Sequence, residues 1–160
     1  MSDELLSELI AAYGDSILRM CYLYLKDYHL AEDVVQETFI QVYHHYDGFR
    51  QQSSVRTWII QIAVNLCKNQ MRTRWFSLGR ADDFPALSCT EPYDNMLEHE
   101  RLITEIGRLK PNYREVILLF YYQELTVREI AVLLGKKESA VKQRLKRARE
   151  QLKQALKEEL

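Results

Sequence analysis

Apolar residues recur along this chain every three or four positions, and no stretch alternates over the length of a strand, so the expected elements are helices. Leu5, Leu9, Tyr13, Ile17, Met20 and Leu23 or Tyr24 form one stripe over residues 4–25. A second helix, about 29–46, places Ala31, Val34, Val35, Phe39, Val42 and Tyr46 on one face. Its other face presents Asp33, Gln36, Glu37 and Ile40 at offsets that set them side by side. After a turn at Asp47-Gly48-Phe49, the good capping residues Ser53 and Ser54 open a third helix that runs to about residue 74. Its expected core face is Val55, Trp58, Ile59, Ile62, Ala63 and Leu66. Its wet face is Gln61, Asn65, Lys68, Asn69 and Arg72, with Arg56 and Arg74 near the ends. Trp58 lies on the apolar stripe, which favours a core role over a stacking one.

The period is lost over residues 76–95, which collect Ser, Asp, Gly and two of the three prolines, Pro85 and Pro92. This predicts a flexible linker between two small helical modules, 1–75 and 96–160. Fully extended, about 20 residues at ~3.3 Å each reach ~66 Å, nearly two turns of duplex at ~34 Å per turn. In the second module Pro111 suits the first turn of a mostly buried helix over 112–123. Thr126-Val127-Arg128-Glu129 fits a capping box that starts a short helix to Leu134, and Gly135 turns the chain. A last helix, about 138–156, buries Val141, Leu145, Ala148, Leu152 and Leu156. Opposite them stand Lys142, Gln143, Lys146, Arg147, Arg149 and Lys153. Helix, glycine turn and basic helix make a helix-turn-helix pattern, in which an apolar stripe docks the second helix and its polar face enters a major groove. The expected fold is all-α, two modules with a helix-turn-helix domain second.

Composition narrows the function classes. In 160 residues, 47% hydrophobic and 28% charged types suit a folded soluble chain. The longest apolar run, Val116 to Tyr122, is seven residues, far below the ~18 of a membrane span. The acidic start Met1-Ser2-Asp3-Glu4 is unlike a signal peptide, so the expected location is the cytoplasm, without membrane insertion. Three scattered cysteines, Cys21, Cys67 and Cys89, argue against a zinc site or a disulfide framework and for a reducing compartment. His29, His44, His45 and His99 have no metal-ligand spacing, and no phosphate-cradling loop or nucleophile elbow occurs. No catalytic residue, metal or cofactor is therefore expected.

The net charge of −1 conceals a strong alternation. Residues 1–50 carry 3 basic and 9 acidic side chains, 51–80 carry 5 and none, 81–125 carry 4 and 9, and 126–160 carry 10 and 5. Affinity for a phosphate backbone follows local cation density, because each neutralised phosphate releases condensed counterions. Two cationic blocks on periodic helices therefore keep nucleic acid among the candidate partners.

These residues resemble an extracytoplasmic-function sigma factor, the smallest type in the sigma-70 family. The first module carries the resemblance in Ala31-Glu32-Asp33-Val34-Val35-Gln36-Glu37-Thr38-Phe39, Asp47-Gly48-Phe49-Arg50, Ser53-Ser54-Val55-Arg56-Thr57-Trp58-Ile59 and Ile62-Ala63-Val64-Asn65-Leu66. The second carries it in Leu109-Lys110-Pro111-Asn112-Tyr113-Arg114-Glu115-Val116, Glu129-Ile130-Ala131, Leu134-Gly135 and Val141-Lys142-Gln143-Arg144-Leu145-Lys146-Arg147-Ala148-Arg149. The resemblance implies a protein that binds core RNA polymerase through its β′ clamp helices and β flap, recognises the −35 and −10 promoter elements and helps open the duplex. It implies a polymerase-binding face of Asp33, Gln36, Glu37 and Ile40. It implies −10 contacts from the loop residues Phe49, Arg50, Gln51, Gln52, Ser53 and Ser54 and from Arg56, Gln61, Asn65, Lys68, Asn69 and Arg72. The −35 contacts fall on Lys142, Gln143, Arg144, Lys146 and Arg147, with Gln143 suited to bond an adenine edge. An anti-sigma factor, often membrane-anchored in the family, is a further implied partner. Three positions depart from the family pattern: Asn69 stands where aspartate is common, and Lys136-Lys137 replace an apolar residue and proline. A rival from another class is a stand-alone helix-turn-helix regulator whose first module dimerises or senses a ligand. The carboxylate-free basic helix of the first module counts against that rival.

Overall fold

The computed structural model of the chain describes residues 1–50, 53–78 and 100–158, and every regular element among them is helical. The chain forms two compact units, divided between Ala86 and Leu87. Of the linker expected at 76–95, residues 76–78 instead continue the third helix, whose backbone hydrogen bonds run past the end of its apolar period, and the remainder lies outside the described residues, as do Gln51, Gln52, Cys89 and His99.

The first unit is built from α1 (Asp3–Leu25), α2 (Tyr28–His45) and α3 (Val55–Leu78), each packed on the other two. Ser2 caps α1 by accepting the Leu5 N–H, and Asp3 and Glu4 in the first turn suit the positive end of the helix dipole. The helix stops at Lys26, which takes the left-handed conformation (φ 59°). Asp27 then caps α2, accepting the Leu30 N–H at 3.0 Å. Only Lys26 and Asp27 separate the two helices. The N-terminal half of α1 is half-buried at Leu5, Leu6, Leu9 and Tyr13, whereas Met20 to Leu25 are buried without interruption. Only a helix wedged against two neighbours buries six consecutive residues, since a single stripe hides every third or fourth.

The same double packing alters α3. Ile59 and Ala63 are buried as expected, but Val55, Trp58, Ile62 and Leu66 are only half-buried. Ile60, Val64 and Cys67, one stripe over, take their place. Val35 and Tyr46 of the expected α2 stripe are likewise half-buried. Thr38 is wholly buried instead, its hydroxyl donating to the Val34 carbonyl at 2.7 Å.

The second unit comprises α4 (Glu100–Arg108), α5 (Pro111–Ile117), α6 (Val127–Leu134) and α7 (Glu138–Glu158). The periodicity did not single out α4. Pro111 opens α5 as expected, but the helix expected over 112–123 does not stay α-helical. From Leu118 to Tyr122 it widens into a π turn, in which the Gln123 N–H reaches the Leu118 carbonyl five residues back at 3.1 Å. Leu118 and Leu119 stay buried while Tyr121 is exposed. Both bonds of the capping box are present: the Glu129 N–H donates to Thr126 Oγ1 at 3.1 Å and the Thr126 N–H to Glu129 Oε1 at 3.0 Å. Gly135 ends α6 at φ 65°, a conformation that favours glycine. α7 docks on α4, α5 and α6 through buried Val141, Leu145 and Ala148, with Leu152 and Leu156 half-buried towards its end.

Cys21 and Cys67 are free and wholly buried. Burial pushes the Cys67 thiol well above the ordinary thiol range, and the adjacent Cys21 side chain adds to the shift. Folded Cys67 therefore keeps its proton at pH values where the unfolded chain has lost it. Its contribution to stability is full below the ordinary thiol range and declines as pH rises above it. Thermal melts of wild type and Cys67→Ala should differ less at about pH 10 than at about pH 7; a difference that does not change with pH would contradict this.

Candidate functional site

Three polar faces follow from how the helices bury their apolar stripes. On α2, the inward residues Ala31, Val34, Thr38 and Val42 turn Asp33, Gln36, Glu37 and Ile40 outward, and all four are exposed. Glu37 accepts a bond from Gln41 one turn on, at 3.4 Å. Beside this face lies an apolar groove of about 570 Å³ between α1 and α2, walled by Leu6, Ile10, Val35, Phe39, Ile40 and Tyr43, with Gln36 and His44 at its edge. Ile10, Ile40 and Tyr43 are 44%, 49% and 42% exposed. The sequence reading anticipated Ile40 and missed Ile10 and Tyr43. The signal for Ile10 was present, because Leu5-Leu6 and Leu9-Ile10 make an apolar arc too wide for one stripe. A carboxylate face continuous with an apolar groove fits a partner helix that is basic and apolar together.

On α3, Gln61, Asn65, Lys68, Asn69 and Arg72 are exposed at helical spacing along one side. Arg72 Nη2 donates to Asn69 Oδ1 at 3.0 Å, so the amide at that position is engaged with a cation of its own stripe. Arg56 is half-buried nearer the helix start. Ser54 is the cap of α3, its Oγ accepting the Thr57 N–H at 3.1 Å. Ser53 and Arg50 are exposed. Phe49 stacks on Trp58 with ring centroids 4.7 Å apart and planes inclined by 22°, and Tyr46 approaches the same indole at 6.3 Å. Trp58 is thus a half-buried platform for the Phe49 and Tyr46 rings rather than a wholly buried core residue. No acidic side chain occurs between Asp47 and Asp82, so this side of the unit opposes a phosphate backbone nowhere along α3.

On α7, Lys142, Gln143, Lys146 and Arg147 are exposed. Arg144 is half-buried, its Nη1 3.8 Å from Oε1 of the buried Glu115 on α5. A polar cleft of about 320 Å³ joins α7 to the start of α5, lined by Lys110, Asn112, Tyr113, Gln143, Arg144 and Arg147. The first three were not among the expected site residues, because nothing local announces which surface of α5 faces α7. Arg149 turns elsewhere: its Nε donates to the Tyr121 hydroxyl at 2.6 Å, and its guanidinium lies 5.3 Å from the Phe120 ring centre. It borders a second apolar groove, about 460 Å³, whose walls include Leu102, Ile106, Tyr121, Tyr122, Leu152 and Leu156. Lys136 and Lys137 are exposed just ahead of α7. Among the described residues no three His, Cys, Asp or Glu side chains cluster as metal ligands, and no helix is long and apolar enough to cross a membrane.

Known proteins match this arrangement at both ends. The pattern of Sigma-70 region 2 covers residues 9–77, and that of Sigma-70, region 4 covers residues 99–152. The chain is 30% identical to the ECF RNA polymerase sigma factor SigM of Bacillus subtilis, over 92% of this chain and 93% of that one. It is 29% identical to SigW, an ECF RNA polymerase sigma factor of the same organism, over 95% and 89%. Its fold is similar to that of the sigma factor RpoE from Bartonella quintana, solved in complex with the anti-sigma factor NepR, with a TM-score of 0.81 over 98% of both chains at 23% identity.

Proposed function

The chain belongs to the extracytoplasmic-function branch of the sigma-70 family, and from that premise we propose how its three faces divide the work of an RNA polymerase sigma factor. The protein binds core polymerase, recognises the −35 and −10 promoter elements and promotes initiation; a stand-alone regulator is set aside by the presence of both sigma regions in order. The observation that carries the division is the pairing of each region with an exposed polar face: the carboxylate face on α2 and the amide–cation stripe on α3 in region 2, and the basic face of α7 in region 4.

The α2 face, Asp33, Gln36, Glu37 and Ile40, grips the β′ clamp helices, with charge steering the approach and the adjoining groove adding apolar area. The groove of the second unit, near Leu102, Tyr121 and Leu156, seats the β flap. Along α3 the cations Arg56, Lys68 and Arg72 hold the phosphates of the separated −10 strand, while Gln61, Asn65 and Asn69 bond base edges. Phe49, Arg50, Ser53 and Ser54 border the flipped base, the stack on Trp58 keeping Phe49 in place. Asn69 replaces a charge with an amide, so its base preference differs from that of relatives with aspartate. Gln143 reads the −35 duplex in the major groove, and Lys142, Lys146 and Arg147 anchor its phosphates. No step makes or breaks a covalent bond on this chain; polymerase does the chemistry, in the cytoplasm where the genome is. An anti-sigma factor is a regulatory partner, a reading supported by the complex in which the similar RpoE was solved.

Run-off transcription with core polymerase on a promoter library should yield defined start sites only when this chain is added. The double change Asp33→Arg, Glu37→Arg should abolish co-elution with core polymerase while the helical circular-dichroism signal is retained; unchanged co-elution would place the docking face elsewhere. Gln143→Ala should alter the enriched −35 sequence, whereas Lys146→Ala should keep the sequence and lower the salt slope of binding by about 0.9.

A further inference from the structure

Arg144 differs from its neighbours on the polar side of α7. Lys142, Gln143, Lys146 and Arg147 are exposed, whereas the Arg144 side chain keeps 24% of its exposure and approaches to 3.8 Å the carboxylate of Glu115, a side chain only 3% exposed. A carboxylate withdrawn from water to that degree is costly unless cations and donors face it. Glu115 belongs to α5, so the pair ties α7 to α5 by charge. The apolar stripe Val141, Leu145 and Ala148 settles which side of α7 faces inward. Apolar contact is non-directional, however, and leaves room for a small roll of the helix. A charge pair at a fixed point along that stripe opposes the roll. Gln143 is the residue before Arg144, so any rotation of one about the helix axis carries the other. An amide that bonds a base edge in two places tolerates about 0.5 Å of misplacement.

From this geometry we infer that Arg144 is a positioning residue for promoter recognition: through Glu115 it sets the roll of α7 at which Gln143 meets its base, and it does not itself touch the −35 duplex. The inference rests on the proposed reading of the −35 element by α7. It makes Glu115, which no DNA reaches, a determinant of promoter choice.

The test uses the full chain and the duplex that wild type enriches from a library randomised over the −35 region. Arg144→Ala and Glu115→Gln should each weaken binding to that duplex about tenfold and broaden the base preference at the position read by Gln143. The double variant should be no weaker than the poorer single one, and the salt slope should equal that of wild type in all three. Arg144→Lys, which keeps a cation beside Glu115, should restore the preferred base. Glu115→Gln preserves size and helical content and so carries the prediction should Arg144→Ala unfold. The inference is overturned if Arg144→Ala lowers the salt slope by about 0.9 with base preference intact, as a phosphate contact would. It is equally overturned if Glu115→Gln binds and selects like wild type. If wild type enriches no duplex, the −35 reading fails, and the inference falls with it.

Discussion

A helix that docks through one apolar stripe has its remaining faces aimed for it, and the working surfaces of this protein depend on that constraint. Burial of Val141, Leu145 and Ala148 points Lys142, Gln143, Lys146 and Arg147 outward. Burial of Ala31, Val34, Thr38 and Val42 does the same for Asp33, Gln36, Glu37 and Ile40. Nothing on these outer faces holds the fold together, so each is free to be selected for a partner. The energy that orients them comes from area removed from water, at roughly 25 cal/mol per Å².

Charge is sorted by the same means. A net charge of −1 describes neither unit's surfaces. Within the first unit, α1 and α2 carry carboxylates while α3 has none, so the unit offers surfaces of opposite sign. The separation is feasible because α2 and α3 pack on each other and each leaves its polar residues exposed to solvent.

The two cores differ in kind. Among the described residues the first unit buries, apart from its tyrosines, one polar side chain, Thr38, which is satisfied by its own helix. The second buries Glu105, Arg114, Glu115 and Gln123. Arg114 donates to the Gly107 and Leu109 carbonyls at 3.2 and 3.1 Å, bracing the corner between α4 and α5. Arg108 bonds Glu105 at 2.7 Å. Directional bonds of this kind hold short helices at set angles, as a unit that presents one helix to a groove requires. The π turn contributes too: it brings Tyr121 outward to receive Arg149, so that a cation on α7 serves the helix packing instead of the polar face.

Periodicity alone determined the helical class, the ends of α1, α2, α6 and α7 to within about two residues, and the capping box at Thr126, because these are written in local spacing and local hydrogen bonds. The polar members of each candidate face were legible for the same reason, being the complement of a visible stripe. Tertiary packing decided the rest. It turned the buried arc of α3 towards Ile60, Val64 and Cys67, since a helix against two neighbours hides more than one stripe. It exposed Ile10 and Tyr43, widened the turn at Leu118–Tyr122, and brought Lys110, Asn112 and Tyr113 up to α7. It also drew Arg144 in towards Glu115, 29 positions earlier in the chain. A residue's own neighbours in sequence specify which side of its helix is wet; which second helix stands against that side is a contact between distant segments, and no local pattern records it.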